Sequence, residues 1–186
     1  MRPLLLTALV LLLSSCASTP PQRLLPNDIA AMEYWLLEGK IAIKHHRESH
    51  SGYFSWQQNL EDYTIRIHGP LGQGSARLVS NHRGITLHAD GREQSASTAE
   101  ELMTMNLGWS FPVKDMTWWV RGLASPHSPI DHEERNENGL LLSLEQQGWT
   151  LNYLRHQQLD QLTLPYKLIA VRNNTQITLL LKKWEL

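Results

Sequence analysis

The single cysteine among 186 residues stands where chemistry on a thiol is expected. Met1-Arg2-Pro3 is followed by a nearly unbroken apolar run from Leu4 to Leu13, then Ser14-Ser15-Cys16. A basic start with a short apolar run is a secretory signal. The run is too short to span a bilayer, which takes about 20 apolar residues. Leu13-Ser14-Ser15-Cys16 fits the bacterial lipobox: the small side chains let the backbone enter a peptidase cleft, and the thiol takes a diacylglyceryl group. Residues 1–15 are therefore expected to be a signal peptide cut just before Cys16. Without a second cysteine, no disulfide competes for this thiol in an oxidising compartment. Acyl chains contribute roughly 0.8 kcal/mol per buried methylene, so more than one gives stable anchoring.

Other reactive side chains fall in less telling patterns. His45, His46 and His50 surround Glu48, and clustered histidines can bind metal. No further ligand follows at a matching spacing, so no metal site is expected. His127, Asp131 and His132 lie in a Pro-rich stretch and are read the same way. No Gly-x-Ser-x-Gly nucleophile elbow occurs, and neither an enzyme nor a cofactor is expected. Asn173-Asn174-Thr175 matches a glycosylation acceptor, but the lipobox makes the chain bacterial. A formal net charge of −1 and a pI near 6.8 give no reason to expect nucleic acid as a partner.

These features need a scaffold. Residues 16–27, rich in Ser, Thr, Pro and Gln, read as a flexible linker, and residues 28–186 as one domain. Asp28 to Tyr34 can form a short helix with Asp28 as N-cap. Alternation then predicts strands from Glu38 to Lys44, Gly52 to Gln57, Asp62 to His68, Ser75 to Val79, Ile85 to Ala89 and near Glu93 to Ala96. His45 to Ser51 reads as a polar turn. Ser97 with Glu100 forms a capping box for a helix ending at Leu107 before Gly108. A second helix, Lys114 to Arg121, ends at Gly122, and Ser125 to Ile130 is a loop. Strands resume at Leu140 to Gln146, Trp149 to His156, Leu162 to Val171 and Gln176 to Trp184.

Sequential strands with short connections predict an antiparallel sheet. Helices between two groups of strands predict a curved sheet with a helical cover. The inward faces would carry Ile41, Ile43, Phe54, Trp56, Ile65, Ile67, Leu78 and Leu87. Periodicity does not tell whether these fill a core or line an apolar cavity. Of Trp118 and Trp119, one is expected to face the interior and the other the sheet. His68-Gly69-Pro70-Leu71-Gly72-Gln73-Gly74 is a hairpin connection. Leu71, between Pro70 and Gly72, either folds back onto a neighbouring face or serves as an apolar finger toward lipid. The residues alone leave both open.

Several pieces in order resemble the outer-membrane lipoprotein receptor family LolB. They are the lipobox, Gly39-Lys40-Ile41-Ala42, Phe54-Ser55-Trp56-Gln57-Gln58, Gly69-Pro70-Leu71-Gly72, and Phe111-Pro112-Val113 leading to Trp118-Trp119-Val120-Arg121-Gly122-Leu123. Leu164-Pro165 and Ile177 to Trp184 complete the set, which covers nearly the whole mature chain. The resemblance implies an unclosed antiparallel β-barrel with a helical lid around an apolar cavity, lined by the residues above together with Trp118. It implies a monomer that accepts lipoproteins from the periplasmic carrier LolA by taking up their acyl chains. Cargo is then placed in the inner leaflet of the outer membrane, with Pro70, Leu71 and Gly72 as the loop entering phospholipid. Ala17, in place of the Asp that retains known lipoproteins in the inner membrane, implies the periplasmic face of the outer membrane. Without the resemblance, a structural or assembly lipoprotein with a filled core and a protein-contact role is the competing reading.

Overall fold

The computed structural model describes residues 28–70 and 74–186. Eleven strands form one sheet: β1 (Tyr34–His45), β2 (Glu48–Asn59), β3 (Asp62–His68), β4 (Ala76–Asn81), β5 (Gly84–Ala89), β6 (Arg92–Ala96), β7 (His132–Arg135), β8 (Leu141–Gln146), β9 (Trp149–Leu159), β10 (Leu162–Arg172) and β11 (Thr175–Glu185). All pairings are antiparallel, in the order β6-β5-β4-β3-β2-β1-β11-β10-β9-β8-β7. The sheet is unclosed, with β6 and β7 at its two edges.

Two helices, α1 (Ala99–Leu107) and α2 (Val113–Trp119), lie in the segment joining β6 to β7. The chain therefore runs from one edge of the sheet to the other through its helices. Eleven strands laid flat span about 50 Å, whereas helices of 9 and 7 residues reach only about 13 and 10 Å. So small a cover shields one face of so wide a sheet only if the sheet curls around it. The buried cluster runs from Met32 to Trp184 and draws on both helices and on every strand from β1 to β11 except β6 and β7. Among the described residues these side chains form one core cluster.

Local chemistry explains where the elements differ from the sequence reading. The expected helix at Asp28 is a single 3₁₀ turn, Ile29–Ala31, although Asp28 does cap it, accepting from the Ala30 N–H at 2.9 Å. Met32 and Trp35 mimic helical spacing. Trp35 instead alternates with buried Leu37 and pairs with Gln58 on β2, so the strand already starts at Tyr34. The expected turn from His45 to Ser51 shrinks to His46-Arg47, because Glu48 to Ser51 extend β2 beside β1. The cap of α1 is Thr98 rather than Ser97: its Oγ1 accepts from the Glu101 N–H at 3.2 Å, and the Ser97 hydroxyl donates to the Glu101 carboxylate. Glu100 is left to accept from the Val113 N–H at 2.9 Å and so joins the two helices. The exposed edge strand β7 has no apolar alternation to announce it. Its ladder to β8 and the Asp131 N–H to Glu145 carbonyl bond (2.9 Å) define it.

Candidate functional site

Alternation turns one face of nearly every strand inward, and that face is apolar. Ile41, Ile43, Phe54, Trp56, Ile65, Leu78 and Leu87 are all buried, and Ile67 is half-buried beside them. From the other half come Leu144, Trp149, Leu151, Leu164, Leu168 and Leu181, each with essentially no exposed surface. The helices add Leu102, Met103, Val113, Met116 and Trp119. Trp119 is fully buried. Trp118 is half-buried, its ring under the Arg121 guanidinium at 4.4 Å.

The interior holds three grouped indoles. Trp35 lies 5.4 Å from Trp56 and 5.3 Å from Trp184, in tilted contacts. The Trp56 indole N–H donates to Gln58 at 2.9 Å. The buried indole N–H groups of Trp35, Trp149 and Trp184 have no hydrogen-bond partner among the described residues, an uncommon condition for buried donors. Burial holds the Tyr63 and Tyr153 phenols far above their ordinary range, so both stay neutral.

A polar clamp holds α2 over β8 and β9. Gln146, fully buried, accepts from the Trp119 indole at 3.0 Å and from the Ser125 N–H at 2.9 Å. Its amide donates to the carbonyls of Ser125 and Ser128, both at 2.9 Å. The Tyr153 hydroxyl donates to the Trp119 carbonyl at 3.1 Å. Arg121 donates from Nη1 to the carbonyls of Ile29 and Met32, each at 3.1 Å, and from Nε to Thr117 at 3.0 Å. Desolvation lowers its pKa to about 10, so it remains charged at neutral pH. By contrast, α1 rests on edge strand β6 and its neighbour β5 and reaches the sheet through Asn106, whose amide donates to Gln94 at 2.9 Å.

Sequence reasoning found the apolar face and missed the clamp. Gln146 and Arg121 carry no periodic signal; their roles follow largely from distant partners, Ser125 21 positions away for Gln146 and Ile29 92 positions away for Arg121. The glycines of the resembling motifs do have visible reasons. A Cβ on Gly39 would stand 2.0 Å from the Leu180 carbonyl, at the register shift between β1 and β11. Gly122 adopts a positive φ of 80° and packs on Pro165, which brings together two motifs distant in sequence. Cys16, Leu71 and Gly72 lie outside the described residues. Pro70 is exposed at the end of the loop's described part.

The histidine cluster is engaged within the hairpins. His45 Nδ1 meets the Thr175 hydroxyl at 2.8 Å, and His50 faces Glu48 at 3.6 Å. Among the described residues no group of three or more His, Cys, Asp or Glu side chains is placed to hold a metal ion.

A model of the family "Outer membrane lipoprotein LolB" matches residues 33–184. The outer-membrane lipoprotein LolB of Stutzerimonas stutzeri is 34% identical, over 100% of this chain and 96% of that protein. Those of a Marinomonas species and of Cellvibrio japonicus are 31% and 34% identical over at least nine-tenths of each chain. A LolA-superfamily protein from Nitrosomonas europaea is similar in structure. Its TM-score is 0.51 at 9% identity, with 84% of this chain and 87% of that one covered, a likeness of fold. With the family matched along nearly all of the described domain, the chain belongs to the LolB family of outer-membrane lipoproteins.

Proposed function

We propose that this protein is an outer-membrane receptor that accepts lipoproteins from a LolA-type periplasmic carrier and delivers them to the inner leaflet. The observation that carries the reading is the continuous apolar inner face, covered among the described residues by the segment that links the sheet's two edges together with Ile29 and Met32. Such a face can exchange its own packing for acyl chains once the helices move. No covalent step is needed, and direction comes from differential affinity. A chain of a dozen methylenes costs about 10 kcal/mol to expose to water, so transfer requires mouth-to-mouth contact with the carrier. Cys16 carries the anchoring lipid, the linker at 16–27 keeps the domain near the leaflet, and Leu71 at the loop tip perturbs the leaflet to favour release.

The test is hand-over of a labelled lipoprotein from carrier to receptor, then to vesicles. Leu71→Glu should leave acceptance largely intact and block delivery; delivery equal to the parent's would refute the loop's role. A chain without Cys16 and its lipid should still accept cargo and deliver it with less fidelity to the correct membrane. Loss of acceptance on removing the lipid would break that division of labour.

One observation favours a second reading, an assembly lipoprotein that contacts other proteins. The largest inner residues, among them Trp35, Leu37, Trp119 and Trp149, are already packed to 2% exposure or less. A permanently filled interior would take up no apolar ligand.

A further inference from the structure

At the end of the sheet nearest the Leu71 loop, cations collect that neither the core nor the clamp uses. The register sets Arg66 directly opposite Arg77, Arg77 opposite His88, and His88 opposite Glu93. Like charges in facing positions destabilise a strand pair. Arg66 and Arg77 are nevertheless exposed, and neither has a carboxylate within 4.0 Å among the described residues. His88 does, with Glu93 at 3.3 Å.

These residues border a groove of about 550 Å³ at the ends of β3, β4, β5 and β6. Asp90 is the acid besides Glu93. Alternation turns Ile67, Ala76, Ala89 and Arg92 to the sheet's other face. The groove thus places two guanidinium groups that lack a carboxylate partner among the described residues next to residues 69–75. Next to Arg66 along the chain edge, His68 stacks on Tyr53 at 5.6 Å, and the Lys40 ammonium lies 5.1 Å from that ring, so the cationic surface continues across β2 to β1.

We propose that this groove seats the headgroup of an anionic phospholipid of the membrane. The phosphate would lie against Arg66 and Arg77, on the face they share with His88. Guanidinium suits phosphate because its fork of donors matches two oxygens at once. The inference rests on reading residues 69–75 as the membrane-facing end. It adds that the leaflet is recognised by charge as well as by an apolar tip.

The test uses the chain from residue 17 onward, made without lipid, which keeps the whole buried cluster from Met32 to Trp184. Its sedimentation is measured with vesicles of phosphatidylcholine alone and with vesicles containing about one-third phosphatidylglycerol. The parent should bind the anionic vesicles more tightly and lose the preference in high salt. Arg66→Gln with Arg77→Gln should weaken anionic binding about 25-fold, roughly fivefold per arginine, leaving phosphatidylcholine binding and melting temperature unchanged. Leu71→Glu should weaken binding to both vesicle types. No preference in the parent, or a preference that survives the double substitution, overturns the groove. Leu71→Glu binding both vesicles like the parent overturns instead the reading of the loop.

Discussion

The two helices cover the same interior in different ways. α2 is clamped: Trp119 is fully buried, Gln146 and Tyr153 bind its end, and Arg121 ties it to the first residues of the domain. α1 buries Leu102 and Met103, but Glu101, Thr104, Met105 and Asn106 are exposed. It packs on β5 and β6, the thinner edge, where Ile67, Ala76, Ile85 and Ala89 are only partly covered. A helix held by several buried hydrogen bonds resists displacement, since moving it strands those groups without partners. A helix resting on a half-covered edge strand has fewer such groups to strand. Under the proposed function, the contrast makes α2 and β8–β10 the fixed wall, and α1 with β4–β6 the side that would open.

The largest expected effect lies in the clamp. Trp119→Ala should cost about 3–5 kcal/mol in urea unfolding, from lost burial and the cavity left behind. A loss below about 1 kcal/mol would mean that α2 is not part of the fixed wall. Arg121→Met should cost about 2–3 kcal/mol, because the carbonyls of Ile29, Met32 and Thr117 lose their donors. On the opposite side, Asn106→Ala removes the bonds to Gln94 and the Leu102 carbonyl and should cost less than about 1 kcal/mol. Its signature should be faster amide exchange in α1 with α2 unchanged; equal acceleration in both helices would erase the contrast.

The smallest effect is a pH dependence in the fixed half. Burial lowers the pKa of His156 on β9 below the ordinary histidine value of 6.5. The unfolded chain therefore binds a proton first as pH falls, and stability declines from about pH 6.5 downward until the folded state also protonates. The group is only half-buried, so the loss should be small beside the effects in the clamp. His156→Gln should flatten that part of the melting-temperature profile; an unchanged slope assigns it to other groups.

Much of the sheet was legible because it is amphipathic. Ile41, Ile43, Phe54, Trp56, Ile65, Leu78 and Leu87 show their side by alternation, and the structure buries each of them. β7 was not legible because His132 to Arg135 are all exposed, leaving no burial to pattern the residues. The helix expected at Asp28 failed for the opposite reason. Met32 and Trp35 do point into the core, but strand pairing over 12 residues of β1 outweighs a marginal single turn. The clamp was out of reach because a buried Gln or Arg is defined by partners that only the fold brings near. Filled core and acyl-accepting interior remained alike in the sequence because both demand the same apolar residues at the same period.

The most direct test of an interior that accepts acyl chains is uptake of a fluorescent apolar probe by the unlipidated domain, followed by displacement with a triacylated lipopeptide. The account predicts saturable, blue-shifted probe fluorescence that the lipopeptide abolishes, with uptake faster in Asn106→Ala. No saturable uptake by a correctly folded domain would contradict it and leave the filled-core assembly protein as the reading.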